Sequence, residues 1–360
     1  MQVNNYALIL AGGVGSRFWP RSTAQFPKQF HDILGTGSSL LQLTFQRVSQ
    51  FIPADNILIS TSDMYLDLVK EQLPQIPHNN ILTEPARRNT APAIAYGMAK
   101  IRKRNADASV MVCPSDHLII KEDTFGKISE SILSYASGNN HLVTLGITPN
   151  APHTGYGYIQ FVRNQKADEV YKVKTFTEKP SEDIAKSFIE SGDFLWNAGI
   201  FYWSVKAFFE AIEHYIPELY AAFEEHDDII DNTHELNAVG KFYPRLENES
   251  IDYALLEKAK NVYVAPANIG WSDLGAWGAL HEQVSCDQNN NALVGKKILT
   301  YESAGNIVHI TGDKIAVIEG LNDFIVVDTS QALLICRKSS EQKVRDFVKD
   351  VKIMEGDRFV

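Results

Sequence analysis

Leu10-Ala-Gly-Gly-Val-Gly-Ser-Arg-Phe-Trp-Pro-Arg21, continuing to Pro27-Lys-Gln-Phe30, sets a glycine-rich turn directly after the apolar run Tyr6–Leu10. Gly12, Gly13 and Gly15 lack a Cβ, so backbone N–H groups can close on an anion, and Arg17, Arg21 and Lys28 follow as cations able to meet several phosphate oxygens. The pattern points to a nucleoside triphosphate; a plain tight turn is the other reading of a short glycine pattern. It is not a P-loop, because no Gly-Lys-Ser/Thr closes it. Nor is it the dinucleotide fingerprint, because Ser16-Arg17 stand where a helix-packing glycine is needed.

Outward from this loop, the runs Tyr6–Leu10, Ile57–Ser60, Ser109–Cys113 and His141–Gly146 alternate with helical patterns, which predicts an α/β sheet covered on both faces. A helix is expected from Thr90, read as its N-cap, with Ala91, Ile94, Ala95, Met98 and Ile101 on one face. Its N-terminus is a place where polar ligands can be held. Strands follow between Gly155 and Thr177, then amphipathic segments from Lys206 to about Asp228 and at Ser250–Lys258. Val284–Asn291 reads as a polar linker. Four β-like runs come next, Asn306–Ile310, Lys314–Ile318, Asp323–Val327 and Ala332–Cys336, fitting a short antiparallel sheet or a few turns of β-helix. A helix over Ser339–Ile353 carries Val344, Phe347, Val348 and Val351 on one face, as core or as a subunit contact. The expected domains are 1–285 and 286–360.

With 360 residues, 44% of them hydrophobic, the chain has the composition of an ordinary globular protein. Its net charge of -10 argues against a broad nucleic-acid or membrane surface, so the cations after the loop read as a local pocket for a small polyanion. Cys113, Cys286 and Cys336 form neither a disulfide framework nor a metal cluster by spacing, which suits a reducing cytoplasm. The start Met1-Gln-Val-Asn-Asn shows no signal segment, and no apolar run reaches membrane-spanning length.

Asp116, in Cys113-Pro-Ser-Asp-His117, is placed at the carboxyl end of a strand, where open α/β sheets hold ligands; a carboxylate there suits Mg²⁺, and a simple turn cap is the alternative. Asp273 lies in Gly270-Trp-Ser-Asp-Leu-Gly-Ala-Trp277, and two acids meeting on one divalent cation would serve phosphoryl or nucleotidyl transfer. Glu178 and Lys179, in Phe176-Thr-Glu-Lys-Pro180, are expected on opposite faces of a strand, able to meet sugar hydroxyls and a phosphate respectively; an exposed surface pair is the other reading. Thr154-Gly-Tyr-Gly-Tyr158 allows close approach of a ligand or marks a bulge. Asn197, between large apolar residues, needs hydrogen-bond partners that a polyhydroxylated sugar can supply.

Taken together, the N-terminal loop, Glu84-Pro-Ala-Arg-Arg-Asn-Thr-Ala-Pro-Ala93, Cys-Pro-Ser-Asp-His, Thr-Gly-Tyr-Gly-Tyr-Ile, Phe-Thr-Glu-Lys-Pro, Trp-Asn-Ala-Gly-Ile and Trp-Ser-Asp-Leu-Gly-Ala-Trp resemble the mannose-1-phosphate guanylyltransferases, in seven ordered motifs from about Ala7 to Trp277. The resemblance implies a Rossmann-like, glycosyltransferase-A type domain with a small β-helical C-terminal region. It implies transfer of GMP from GTP to mannose 1-phosphate. Arg17 and Lys28 would act on the triphosphate, with Leu10, Ala11, Gly12, Gly13, Gly15, Ser16, Glu84, Asn89 and Thr90 binding the nucleotide. Asp116 and Asp273 would hold Mg²⁺, Lys179 would anchor the sugar phosphate, and Glu178, Asn197 and Gly157 would line the mannose pocket. Guanine presents N1–H and N2–H₂ as adjacent donors, and the carboxylate of Glu84, supported by the Asn89-Thr90 turn, can accept both.

The family also suggests a homodimer. Thr23 departs from its pattern, which frequently has a basic residue there, and Arg21 is a candidate substitute. Some relatives carry a further isomerase domain, so a monofunctional short form is expected. Two alternatives stay open: a nucleotidyltransferase of different sugar or base, and a non-catalytic regulatory paralogue that binds GDP-mannose.

Overall fold

The computed structural model describes residues 4–281 and 284–360; residues 1–3 of the N-terminal stretch read above lie outside the described residues. Contact density divides the chain into two units, one formed by Met1–Gly12, Phe45–Ser115 and Ile119–Trp271, the other by Gly13–Thr44, Asp116–Leu118 and Ser272–Val360. This grouping differs from the division at 285/286 expected from the sequence, because the loop segment after Gly12 and the Asp116 turn group with the C-terminal residues. Among the described residues no helix is long and apolar enough to cross a membrane.

The first unit is built on strands β1 (Asn5–Leu10), β2 (Ile57–Ser62), β3 (Ile81–Glu84) and β4 (Ser109–Pro114), then, past the two-residue β5 (Leu118–Ile119), on β6 (Leu142–Ile147), β7 (Gly157–Ala167), β8 (Val170–Glu178), β9 (Phe194–Ser204) and β10 (Val262–Ala267). Its mixed nine-stranded sheet, of Rossmann-like type, runs β3-β2-β1-β4-β9-β6-β10-β8-β7. β1 pairs in parallel with both β2 and β4, and these strands are buried along almost their whole length, which is why they read as continuous apolar runs. β9 enters antiparallel between β4 and β6.

The helix Thr90–Arg104 departs from expectation in two ways. It is buried all round from Ala91 to Ile101, rather than along one stripe, and it packs so closely on β1 that a Cβ on Gly97 would collide with Leu8 Cδ2. Its N-cap is Asn89, in the left-handed region at φ 66°, whose Oδ1 accepts from Thr90 N–H at 2.9 Å. The helix start is also covered by the chain itself: Ala91 N–H donates to Glu249 O, and Thr90 Oγ1 accepts from Ile251 N–H.

In the second unit, after the two-residue β11 (Trp271–Ser272), come β12 (Ala292–Val294), β13 (Lys297–Tyr301), β14 (Ile307–Ile310), β15 (Ile315–Glu319), β16 (Phe324–Asp328) and β17 (Leu333–Arg337). Two parallel ladders, β12-β14-β16 and β13-β15, decide for turns of β-helix over an antiparallel sheet; β17 closes the first ladder antiparallel to β16. A buried asparagine pair supports one corner, where Asn306 Nδ2 donates to Asn291 Oδ1 and to Leu321 O while Asn306 Oδ1 accepts from Phe324 N–H. The supposed linker is therefore ordered at its end: Asn291 is fully buried and hydrogen-bonded to Asp287.

Phe18, Trp19, Ile33 and Leu40 share one core with Trp277, Ile307, Ile325, Val327, Leu334 and Val344. The terminal helix is regular over Val344–Glu355, and Phe347, Val348 and Val351 pack on that same core, so its apolar stripe is internal.

Candidate active site

In the second unit, the glycine turn is held by its carbonyl groups. Gly13 O accepts from Gln29 Nε2 at 2.9 Å, Val14 O from Ser22 Oγ at 2.6 Å and Gly15 O from Phe18 N–H at 3.0 Å. Across a planar trans peptide the next amide points the opposite way, so the N–H groups of Val14, Gly15 and Ser16 are turned away from those donors. Gly15 has φ 65°, and a Cβ there would lie 2.5 Å from Lys28 Cβ, so both conformation and packing require glycine. Arg17 is part-buried in the short helical turn Ser16–Phe18.

Lys28 is 3% exposed, and its ammonium has three partners: Asp116 Oδ2 at 2.9 Å, Asp273 O at 2.8 Å and Leu274 O at 2.9 Å. These use the three donors of a primary ammonium, so a phosphate oxygen would have to replace one of them. One buried cation thus joins the two acid-bearing turns that the sequence separates by more than a hundred residues. Burial works to raise the Asp116 carboxyl, but Lys28 and His117 outweigh it and hold the group below its usual value, hence ionised. In the other turn, Asp273 Oδ1 accepts from Gly275 N–H at 2.8 Å, and a Cβ on Gly275 would lie 2.5 Å from Asp273 Oδ2. Leu274 takes φ 44°, a strained conformation for a branched side chain.

In the first unit, Leu10 and Ala11 are locked into the sheet end: Leu10 O accepts from Ser115 N–H, Ala11 N–H donates to Ser60 O, and Ala11 O accepts from Thr61 Oγ1. Glu84 is buried at the end of β3, where Ser60 Oγ donates to Oε1 at 3.0 Å and Tyr243 OH to Oε2 at 2.7 Å. Burial raises its pKa against those two hydrogen bonds. A Cβ on Gly12 would come within 3.3 Å of Glu84 Oε1, so the glycine leaves room beside this carboxylate.

A second group of the same unit gathers on the β7, β8 and β9 strands, where Gly157 faces Glu178 in register and a Cβ on Gly157 would collide with Glu178 Oε2. Glu178 and Lys179 do not point apart: the strand ends at Glu178, Lys179 turns to φ 49°, and its ammonium bonds Glu178 Oε1 at 2.5 Å. Asn197 has partners within the chain. Its Oδ1 accepts from Thr144 Oγ1 and Gly199 N–H, both at 3.1 Å, and its Nδ2 donates to Asp252 Oδ1 at 2.7 Å. Asp252 was not singled out by the sequence; burial, then Glu178, drives its carboxyl up to about 6 despite the Asn197 bond. Tyr156 packs edge-on against Trp196 and Trp271, adding an aromatic wall beside Gly157. A cavity of about 610 Å³ in this unit, lined by Tyr215, Phe242, Arg245 and Glu249 among others, contains none of the predicted site residues.

The nucleotidyl transferase family model matches residues 6–290, and the MannoseP isomerase/GMP-like β-helix domain model matches 296–351. The chain is 34% identical over 357 residues to mannose-1-phosphate guanylyltransferase from Escherichia coli, covering 96% of this chain and 75% of the relative. It belongs to the mannose-1-phosphate guanylyltransferase family. A family member from Salmonella muenchen is 35% identical, covering 96% of this chain and 73% of its own. A solved structure described as mannose-1-phosphate geranyltransferase from Thermus thermophilus superposes on this guanylyltransferase-family chain with a TM-score of 0.87 at 28% identity, covering 97% and 100% of the two chains.

The structure brings together Gly15, Lys28, Asp116 and the Asp273 turn in one unit, and Gly157, Glu178 and Asn197 in the other. Tyr243 and Asp252, which contact Glu84 and Asn197, carried no motif signal: Tyr243 falls between the amphipathic segments read from the sequence, and Asp252 lies within one of them, where an aspartate looks like any helix surface.

Proposed function

We propose that this chain transfers GMP from GTP to α-D-mannose 1-phosphate, forming GDP-mannose and pyrophosphate. The observation that carries this reading is the likeness, along 96% of the chain, to relatives bearing that name. A phosphate oxygen of mannose 1-phosphate attacks the α-phosphorus of GTP, the bond to the β-phosphate oxygen breaks, and pyrophosphate leaves. A phosphomonoester has its second pKa at about 6, so the nucleophile is already ionised at neutral pH and needs no general base. What remains for the protein is alignment and charge neutralisation.

The turned-out amides of residues 14–16 and the Arg17 guanidinium suit the triphosphate. Glu84, with its two oxygens already oriented, suits the paired donors of guanine. Glu178 and Asn197 suit sugar hydroxyls, and Lys179 the sugar phosphate. Asp116 and Asp273 fit Mg²⁺, since both are oxygen donors, Asp116 is held ionised, and Lys28 ties the two turns together. Bound there, the metal would neutralise charge on the phosphates. The test is pyrophosphate release from purified protein with a panel of nucleoside triphosphates and sugar 1-phosphates, with and without Mg²⁺. GTP with mannose 1-phosphate is expected to lead the panel; preference for another pair, or none, overturns the reading.

A further inference from the structure

Ten consecutive residues, Tyr243–Asp252, hydrogen-bond both the Glu84-Pro-Ala-Arg-Arg-Asn-Thr motif and Asn197, and the reaction described above gives them no role. At the start of the segment, Tyr243 is fully buried and donates to Glu84 Oε2 at 2.7 Å; the next residue accepts from Arg88 Nη2 through Pro244 O. In the middle, Glu249 O accepts from Ala91 N–H at 3.2 Å and Ile251 N–H donates to Thr90 Oγ1 at 2.9 Å. At its end, Asp252 Oδ1 accepts from Asn197 Nδ2 at 2.7 Å and opens one turn of π-helix, Asp252–Leu256. Every contact lies within the first unit.

The chemistry of the two end contacts is specific. With Ser60 on one oxygen and Tyr243 on the other, the Glu84 carboxylate is fixed in plane, and the remaining lone pairs have one orientation in which to accept two adjacent N–H groups. The Asn197 amide is fixed as firmly: its oxygen is taken by Thr144 and Gly199, which assigns the nitrogen side to Asp252 and leaves one N–H as its remaining donor.

We propose that Tyr243 and Asp252 are positioning residues, the first orienting Glu84 toward guanine and the second orienting Asn197 toward a sugar hydroxyl, on one strap that fastens both. This inference rests on the guanylyltransferase reading. A held group loses less freedom when substrate binds, so removing the holder weakens recognition of one substrate and not the other.

Steady-state kinetics of the full chain with both substrates, alongside equilibrium binding of GTP and of inosine triphosphate, which lacks the guanine N2 amino group, test it. Tyr243→Phe should cut the preference for GTP over inosine triphosphate about tenfold, the worth of a hydrogen bond to a charged group, with KM for mannose 1-phosphate unchanged. Asp252→Ala should raise KM for mannose 1-phosphate about tenfold with KM for GTP unchanged, and Asp252→Asn, whose amide oxygen still accepts from Asn197, should restore it. Melting curves confirm that each variant folds, and Asp252→Ser, too short to reach Asn197, takes the place of the Ala variant if that one does not. Wild-type protein with no preference for GTP over inosine triphosphate overturns the guanine reading and this inference with it. An active, GTP-preferring wild type whose variants shift both substrates together, or neither, overturns the inference alone.

Discussion

Lys28 shows how the contacts of one side chain can be misjudged from its place in the sequence. Adjacency to a glycine turn marks it as a cation for phosphates, whereas its ammonium is saturated by one carboxylate and two carbonyl groups. Lys28→Met is expected to cost about 2–3 kcal/mol in urea unfolding, because three acceptors lose their donor around a part-exposed Asp116. Asp116→Asn keeps an oxygen for Lys28 and should cost under about 1 kcal/mol, yet lower kcat at least about a hundredfold if the charge serves the reaction. Asp252 carries a pH signature of its own. Its folded pKa of about 6 lies above the ordinary value, so the folded state binds the extra proton; its contribution is favourable below about pH 4 and lost as pH rises through 6. Asp252→Asn should therefore melt roughly 2–5 °C above wild type at pH 7.5, with the difference vanishing toward pH 4 in parallel scans. The motif segments that carry the candidate residues were legible, since glycine, acid and base in sequence carry chemistry on their face. Their internal partners were not: the Glu178–Lys179 ion pair depends on the chain leaving the strand after Glu178, where Lys179 takes φ 49°.

At the scale of elements, the strands β1, β2, β4 and β6 were legible within about two residues because burial on both faces leaves an unbroken apolar run. β12 and β13 were not, because Ala292–Val294 is short and Lys297–Tyr301 alternates weakly amid polar residues. Parallel stacking of β12, β14 and β16 is also invisible to local pattern, since the same alternation suits a hairpin. What pins the stack is the Asn306 amide, with partners in three neighbouring segments. Asn306→Ala is expected to leave those groups unpaired and to destabilise the protein by about 2–4 kcal/mol, read as a lower denaturation midpoint with unchanged slope. The helix Thr90–Arg104 gives the complementary lesson: its existence was clear and its N-cap was misplaced by one residue, but complete burial was hidden by Lys100, whose ammonium is paired with Glu235 at 2.6 Å.

For the whole molecule, family models meet between residues 290 and 296, yet Phe18 and Trp19 of the glycine-loop segment share a core with Ile307, Ile325 and Val344. Deleting residues 291–360 would strip apolar cover from the segment carrying Arg17 and Lys28. The shortened protein is expected to lose GTP binding by calorimetry, rather than to survive as an autonomous catalytic fragment. Trp277 lies in this shared core, 4.7 Å from the Phe18 ring and 5.5 Å from the imidazole of His309, which burial, then Arg21, keep neutral down to about pH 4. An uncharged imidazole is a poor quencher and an imidazolium a strong one. The indole's ultraviolet emission should therefore stay bright across the working range and dim only in acid, giving an unlabelled optical record of whether the loop segment is seated.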